Sequence, residues 1–257
     1  MLVKNFTGIF SLSKREIMRF LSVSTQTLFP PLISTVLFIC IFGLALGKKI
    51  DLSAEGITYL AFIIPGLMTM QSITSSYENA SSSLFISRWH NHVQEILLSP
   101  LSYFEMVLGI LVGSLTRSIL VISGVFAVSM FFNPMTIAHP FIMIYFALII
   151  PIIFSCAGML AALWAEDFNM LTMWNTYLIM PCTFLGGVFH PVKLIPEQLQ
   201  FFTKINPMYY LVNGMRYSVI GVADTSIFYS IAVSLSLAII MFSLTVYLFR
   251  IGYKLRS

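Results

Sequence analysis

Charged side chains are scarce in this 257-residue sequence. Asp, Glu, Lys and Arg together make up 9% of the residues, whereas an average soluble domain has about 25%. So few charges cannot cover a water-facing surface, which argues against a soluble globular protein. The net charge of +4 is small, and no basic stripe lies on a polar face, which argues against a nucleic-acid partner. Apolar residues make up 58%, so the sequence predicts an integral membrane protein.

Cysteine and metal-binding motifs are also scarce. Cys40, Cys156 and Cys182 lie inside apolar stretches, at spacings that indicate neither a disulfide framework nor a metal site. We expect them to pack as small hydrophobic side chains. His90 and His92 are close together but lack a third ligand, so the sequence predicts no metal site.

Catalytic and nucleotide-binding motifs are missing as well. Glu166 and Asp167 form an acidic pair without a nucleophile or base nearby, so no catalytic residue is predicted. The run Gly43–Lys49 resembles a phosphate-binding loop, but its glycines are one residue too close and Lys49 replaces the metal-binding hydroxyl. Any use of ATP would therefore require a separate chain.

Six apolar stretches are long enough to cross a bilayer, which takes about 20 helical residues. They run over about 26–47, 57–79, 103–131, 140–164, 171–189 and 226–249. The sequence thus predicts an all-α membrane protein that forms one domain over residues 1–257. Between the fifth and sixth stretches, residues 190–225 are too polar and too rich in proline to form a regular span.

Residues 4–21 have the pattern of an amphipathic helix. Phe6, Phe10 and Phe20 lie on its apolar side, together with Ile9, Ile17 and Leu21, and the opposite side carries Lys4, Lys14, Arg15 and Arg19. This pattern is typical of a helix that lies in the membrane interface with its cations near anionic headgroups. A soluble amphipathic helix is the alternative, and the adjoining span favours the interfacial one.

The distribution of Lys and Arg predicts that both termini are cytoplasmic. With the N-terminus inside, eight basic residues flank the spans on the inner side and five on the outer side. The inner set is Lys4, Lys14, Arg15, Arg19, Arg88, Arg250, Lys254 and Arg256, and the outer set is Lys48, Lys49, Lys193, Lys204 and Arg216. Trp89, Trp164 and Trp174 then lie at the inner interface, where an aromatic belt is expected.

The second and third spans carry unusual polar residues. Gln71, Ser75 and Glu78 share one face of the second span, and Arg117 lies well inside the third. A buried arginine is costly in lipid, so it should face protein or water. Two interpretations remain open for these four residues: a structural ion pair of Arg117 with Glu78 and interhelical packing, or the lining of a translocation path.

Gly109 and Gly113 of the third span form a pair of small residues four apart, which allows close helix approach. We expect them to serve packing, and a seam between two copies is the alternative. The inner loop over residues 87–102 predicts a short helix with apolar Val93, Ile96 and Leu97, ended by Pro100. This loop is either a docking helix or a solvated connector.

Several motifs, taken in order, resemble the permeases of ABC-2-type exporters over nearly the whole chain. Each motif is weak alone, and their order and spacing carry the resemblance. They are Arg15-Glu16-Ile17, Pro30-Pro31, Pro65-Gly66-Leu67, the run Glu95–Ser102, Gly186-Gly187-Val188-Phe189, Leu194-Ile195-Pro196-Glu197, Asn206-Pro207 and Gly214-Met215-Arg216-Tyr217.

The resemblance implies an exporter of lipid, polysaccharide or drug-like substrates in the inner (plasma) membrane. It implies a homodimer of six-span subunits with two ATP-binding-cassette ATPase subunits, which hold the ATP and Mg. It implies that the 87–102 loop is a coupling helix, with Arg88, Trp89, His92, Glu95 and Leu97 as contact residues. It also implies that residues 190–214 form short re-entrant helices at an outer gate, with candidates Phe189, Pro196, Asn206, Pro207 and Arg216.

Two other functions are weighed against the exporter. An ion-coupled secondary transporter or channel would need ionisable groups at mid-membrane, of which Arg117 is the clear example. No internal repeat is visible, which disfavours the transporter folds built from repeats. An intramembrane enzyme would need paired catalytic groups at similar depth, and the sequence shows none.

Overall fold

The computed structural model describes residues 5–46, 57–192 and 196–255. Within these ranges the secondary structure is helical and contains no strand. The α-helices are α1 (Phe6–Ser22), α2 (Ser24–Thr27), α3 (Phe29–Phe38), α4 (Tyr59–Trp89), α5 (His92–Leu98), α6 (Tyr103–Phe132), α7 (Pro140–Trp164), α8 (Phe168–Trp174), α9 (Met180–Leu185), α10 (Glu197–Ile205), α11 (Pro207–Ile220) and α12 (Ile227–Ile251). Two π-helical stretches, Ile39–Leu46 and Asn175–Ile179, continue α3 and join α8 to α9.

Four helical segments are long and apolar enough to cross a membrane. They are Ser24–Gly43, Tyr103–Phe132, Pro140–Trp164 and Ile227–Ile251. They coincide with the first, third, fourth and sixth predicted spans. The all-helical membrane fold is therefore confirmed, and the count of six spans stays a prediction.

The second and fifth predicted spans differ from these four for physical reasons. The second lies within α4, which is 31 residues long but carries an almost continuous polar run over residues 71–79. The fifth is divided by the π-helical turn and ends as a helix at Leu185, because Gly186 follows as its C-cap. Helix α4 packs inside the bundle, where polar groups are tolerated, whereas the fifth segment exposes Tyr177 and Leu178 on the outside.

Helix α4 is the centre of the bundle and packs against α6, α7 and α11. Gly158 of α7 lies against the backbone of α4, where an added Cβ would come within 2.5 Å of the Tyr77 carbonyl oxygen. The Tyr77 hydroxyl donates to the carbonyl oxygen of Leu171 in α8, 2.9 Å away. These contacts position the polar face of α4 among its neighbours.

The outer helices present apolar faces that suit lipid. Helix α12 exposes large apolar side chains that include Phe228, Ile239 and Ile240, and α3 exposes Phe29 and Ile33. Large exposed apolar surfaces of this kind mark a membrane or a protein partner.

The N-terminal amphipathic helix is present as α1, and Asn5 caps it by accepting from the Gly8 amide. Phe6 and Phe10 are exposed, as a membrane-facing side requires. The prediction was wrong for Phe20, which is buried with Leu12 and Glu16 against the bundle. Besides its apolar and its cationic sides, α1 therefore has a third face, which packs against α6.

The proline-rich region after the fifth predicted span contains α10 and α11. Pro196 is the N-cap of α10, and Pro207 occupies the first turn of α11, where a missing amide costs little. Helix α11 is largely buried and packs on α4, α7 and α12, whereas α10 exposes Phe201 and Phe202. Re-entry of these helices into the membrane stays a prediction. Several residues of the sequence predictions lie outside the described ranges, namely Lys4, Lys48, Lys49, Lys193, Leu194, Ile195 and Arg256.

Candidate functional site

The short helix predicted in the 87–102 loop is present as α5, a separate seven-residue helix between α4 and α6. Its coupling role stays a prediction. Asn91 has a positive φ of 59°, a backbone conformation that Asn adopts more readily than most residues. This turn separates α5 from the end of α4. Trp89 is 62% exposed, and the side chain of Glu95 is 78% exposed and lies 3.6 Å from His92 Nδ1. Trp89, His92 and Glu95 thus form an exposed polar and aromatic surface at this end of the bundle.

The apolar residues of α5 are arranged differently from the prediction. Val93 is buried and Leu97 packs partly buried on the same cluster, so both anchor α5 to the bundle. Leu98 is 88% exposed and takes the outward apolar position. The side chain of Ile96 lies outside the described set. A partner would therefore meet Leu98 with Trp89 and Glu95, more than Leu97.

Arg88 joins the end of α4 to the end of α7. Its Nη1 atom donates to the carbonyl oxygens of Leu163 and Ala165, each 3.3 Å away, and to that of Ala162. A cation at carbonyls that a helix leaves unpaired at its C-terminus is stabilising. Burial lowers the pKa of the Arg88 guanidinium, and the neighbouring Glu166 opposes that shift. Arg88 was predicted as a coupling residue, and the structure gives its side chain a capping contact.

Arg117 and Glu78 form the ion pair that the sequence allowed. Arg117 Nη2 lies 3.2 Å from Glu78 Oε2, and the Arg117 side chain is only 6% exposed whereas that of Glu78 is 49% exposed. The same nitrogen donates to the carbonyl oxygen of Thr27 at 3.3 Å. The pair therefore connects α6, α4 and the end of α2.

The other two path candidates lie on the same side of α4. Gln71 Nε2 donates to the Ser34 hydroxyl of α3 at 2.9 Å. Ser75 is buried and bonds back to the Ser72 carbonyl oxygen of its own helix. Of the four candidates, Glu78 is the one with a substantially exposed side chain.

A second polar network, missed by the sequence analysis, connects α1 to α4 and α6. The Glu16 side chain is fully buried and accepts from Ser83 Oγ of α4 and from Arg19 Nε at 3.2 Å. Arg19 also donates to Asn79 Oδ1 at 3.1 Å, and Asn79 donates to Ser114 of α6 at 3.1 Å. The sequence did contain a signal for this network. Glu16 stands among the cations Lys14, Arg15 and Arg19, and the inner end of α4 is also polar.

The glycines of α6 make room for this network. A Cβ on Gly113 would come within 2.5 Å of Glu16 Cβ, and one on Gly109 would meet the side chain of Leu12. These glycines therefore let α1 of the same chain pack closely against α6. This agrees with the packing role expected from the sequence.

The N-terminal ends of α1 and α6 are also connected. Ser102 and Glu105 form a reciprocal capping box at the start of α6, and Glu105 Oε1 accepts from the Asn5 amide at 3.0 Å. Gly8 of α1 lies beside Leu101. Helix α5 is thus flanked by two elements, α4 and α6, that both bind α1.

Arg216 is the most enclosed of the outer-gate candidates. Its side chain is 1% exposed and lies 3.3 Å from Asp224 Oδ2. Its guanidinium carbon lies 3.8 Å from the centre of the Phe62 ring, and Nη2 donates to the Gly187 carbonyl oxygen. Burial and this guanidinium lower the pKa of His190. Arg216 therefore joins α11 to α4 and to the loop after α9.

The remaining gate candidates fall into separate places. Phe189 stacks on Phe42, with ring centres 4.7 Å apart, and its carbonyl oxygen accepts from the Tyr59 hydroxyl. Asn206 caps α11, which begins at Pro207, and donates to the Cys182 carbonyl oxygen. Pro196 is exposed at the start of α10. Phe189 and Arg216 thus lie at one junction, Asn206 and Pro207 at a second, and Pro196 outside both.

No cluster of three or more His, Cys, Asp or Glu side chains suited to a metal occurs in the part of the chain that the structure describes. A helical bundle with lipid-suited outer faces and polar networks in its interior has the features of a multi-pass membrane protein. The chain belongs to the ABC-2 type transporter family, because the family model with that description matches residues 7–220.

Relatives of known name agree with this assignment. The chain is 32% identical over 253 residues to the inner membrane transport permease YadH of Escherichia coli (strain K12), with 98% of each chain covered. It is 24% identical over 192 residues to nodulation protein J of Rhizobium meliloti (strain 1021), with 71% of each chain covered. Nodulation protein J of Neorhizobium galegae is 25% identical over 193 residues, again with 71% of each covered. The chain is a transport permease of an ABC transporter.

Proposed function

We propose that this chain is the permease subunit of an ATP-driven exporter in the inner membrane, with both termini cytoplasmic. Residues 1–257 form one permease domain of six spans. Two copies assemble with two ATP-binding-cassette ATPase subunits, and these partners hold the ATP and Mg. The substrate is a lipid, a polysaccharide or a drug-like molecule that moves outward.

The observation that supports this proposal best is the exposure of α5. Trp89 and Leu98 are apolar and exposed at this end of the bundle, next to the exposed charge of Glu95. An apolar residue ringed by polar groups is a common interface pattern. The helix is held between α4 and α6, so a force on α5 would move both helices.

The mechanism follows from these connections. ATP binding closes the partner ATPases, which press on α5 and shift α4 and α6. Helix α1 moves with them, because Glu16 binds Ser83 of α4 and Asn5 binds Glu105 of α6. The path opens between the two copies, with Gln71, Ser75, Glu78 and Arg117 along it and the 190–214 region as its outer gate.

A co-purification in mild detergent tests the central step. The intact chain is compared with a Trp89→Ala/Glu95→Lys variant and with Glu197→Lys, a charge reversal on exposed α10 at the predicted outer side. We expect the ATPase to be recovered with the intact chain and with Glu197→Lys, and lost with the α5 variant. Equal recovery with all three would contradict the assignment of α5.

Transport in proteoliposomes separates the exporter from an ion-coupled transporter. The ATPase subunit is omitted in one set and an ion gradient is imposed in another. We expect transport only when the ATPase subunit and ATP are both present. Transport that persists without the ATPase would overturn the proposal.

A further inference from the structure

An apolar crevice lies between α7, the π-helical turn Asn175–Ile179, α11 and α12, away from the polar face of α4. Its volume is about 460 Å³, within the range of about 300–1,000 Å³ that is usual for ligand sites. Leu160 and Ala157 of α7, Leu178 of the π-helical turn, and Leu237 and Met241 of α12 are among the residues that line it.

Tyr77 and Asn206, two polar residues of the lining, are already bonded within the protein. The Tyr77 hydroxyl donates to the Leu171 carbonyl oxygen. Asn206 donates to the Cys182 carbonyl oxygen and accepts from the Met208 amide. A ligand in the crevice would therefore meet hydrocarbon, and a polar ligand would lose its hydrogen bonds with water.

The crevice is elongated and opens sideways. It extends along α7 from Ile153 to Trp164, which is about 16 Å of helix at 1.5 Å per residue. Trp164 and Trp174 meet edge to face at one end, with ring centres 5.6 Å apart. Both rings and Leu178 are exposed, so the opening faces the surrounding membrane. Tryptophan at the end of a span marks the membrane–water interface.

A lysine stands at this tryptophan end. Lys254 Nζ lies 3.5 Å from the Trp164 carbonyl oxygen and 3.3 Å from Glu166 Oε1. The Lys254 side chain is 36% exposed. Arg88 donates to the neighbouring carbonyl oxygens at the end of α7. Because Lys254 already pairs with Glu166, an anionic lipid headgroup at this cation would share it with, or displace, the exposed Glu166 carboxylate.

We propose that this crevice binds one acyl chain of an anionic phospholipid, with the headgroup beside Lys254. The predicted topology places the headgroup in the inner leaflet. A lipid bound here would fill the space between α7, α11 and α12 and stabilise their packing.

The test uses the full chain, with its ATPase if it co-purifies, in nanodiscs of phosphatidylcholine. The probe is a trace of phosphatidylglycerol with a photoactivatable diazirine on its acyl chain. After illumination, we expect adducts on residues 157–164 and on Leu237 and Met241, reduced severalfold by excess unlabelled phosphatidylglycerol. Adducts spread evenly over the exposed faces of α3 and α12, without competition, would show bulk lipid only and overturn the proposal.

Matched variants locate the site. Ala157→Trp and Leu178→Trp fill the crevice from two sides and should each remove most of the adduct, whereas Ile240→Trp on the exposed face of α12 should keep it. Leu178 is half exposed, so its variant tests the site even if Ala157→Trp fails to fold. Unchanged labelling in Leu178→Trp, or crosslinks between two copies of the chain within the crevice, would overturn the proposal.

The headgroup contact is tested with a phosphatidylcholine probe that carries the same diazirine. We expect the intact chain to label severalfold more with phosphatidylglycerol than with phosphatidylcholine. Lys254→Gln should remove this preference, and Arg250→Gln, an exposed cation on the same helix end, should retain it. Equal labelling of the intact chain by both probes would overturn the role of Lys254.

Discussion

The buried carboxylate of Glu16 in α1 accepts a hydrogen bond from the Ser83 hydroxyl in α4, although the two residues lie 67 positions apart. The same carboxylate pairs with Arg19, which reaches Asn79. An amphipathic helix that is held this way is part of the bundle. Movement of α4 should therefore be transmitted to α1.

Replacing Glu16 should destabilise the protein. Glu16→Ala removes the buried carboxylate that accepts from Ser83 and Arg19, although Arg19 keeps its bonds to Asn79. Breaking a buried pair costs about 3–5 kcal/mol, and the partial exposure of Arg19 reduces this to about 2 kcal/mol. The thermal unfolding midpoint in detergent should fall by several degrees. Lys14→Ala, an exposed cation of the same helix, is the control, and an equal midpoint for both variants would contradict the role of Glu16.

A larger residue at Gly113 should have a similar effect for a steric reason. The Gly113→Val side chain would collide with Glu16 Cβ and push α1 off α6. We expect a lower unfolding midpoint and an unchanged oligomeric state by native mass spectrometry. A variant that keeps its midpoint but separates into monomers would show instead that this glycine lies at a seam between two copies.

Two adjacent residues, Arg88 and Trp89, should have separable roles. Arg88→Gln loses the guanidinium contacts with the end of α7, so we expect a lower unfolding midpoint. Trp89→Ala removes an exposed ring, so the midpoint should change little and ATPase recovery should fall severalfold. The prediction is wrong if Trp89→Ala keeps full ATPase recovery, or if Arg88→Gln leaves the midpoint unchanged.

Arg117 should be needed for transport if it lines the path. Arg117→Leu removes the cation and leaves Glu78, whose side chain is half exposed near the inner end of its predicted span, without this partner. We expect correct assembly with ATPase and at least a tenfold loss of ATP-driven transport in proteoliposomes. Arg117→Lys keeps the charge and should restore part of the rate. Full transport by assembled Arg117→Leu would leave the ion pair with a structural role alone.

Some features were determined by the sequence itself. The scarcity of charge and the long apolar runs required a helical membrane protein, because backbone groups in lipid must be satisfied within a helix. The pattern of 4–21 predicted α1, and Pro100 predicted where α5 has to end. Motif order was enough to indicate the ABC-2 family, which the match over residues 7–220 then established.

Other features were decided by tertiary structure, because they depend on residues far apart in the chain. Arg88 was predicted to meet a partner, which stays a prediction, and its guanidinium binds the end of α7, 74 or more positions away. In the sequence, Glu16 was only one member of the Arg15-Glu16-Ile17 motif. In the fold it is buried against α4 and α6. Periodicity assigns a residue to a face of its own helix, but the neighbour that covers this face is set by packing. For that reason the apolar crevice and the Arg216–Phe62 contact were visible only in the folded protein.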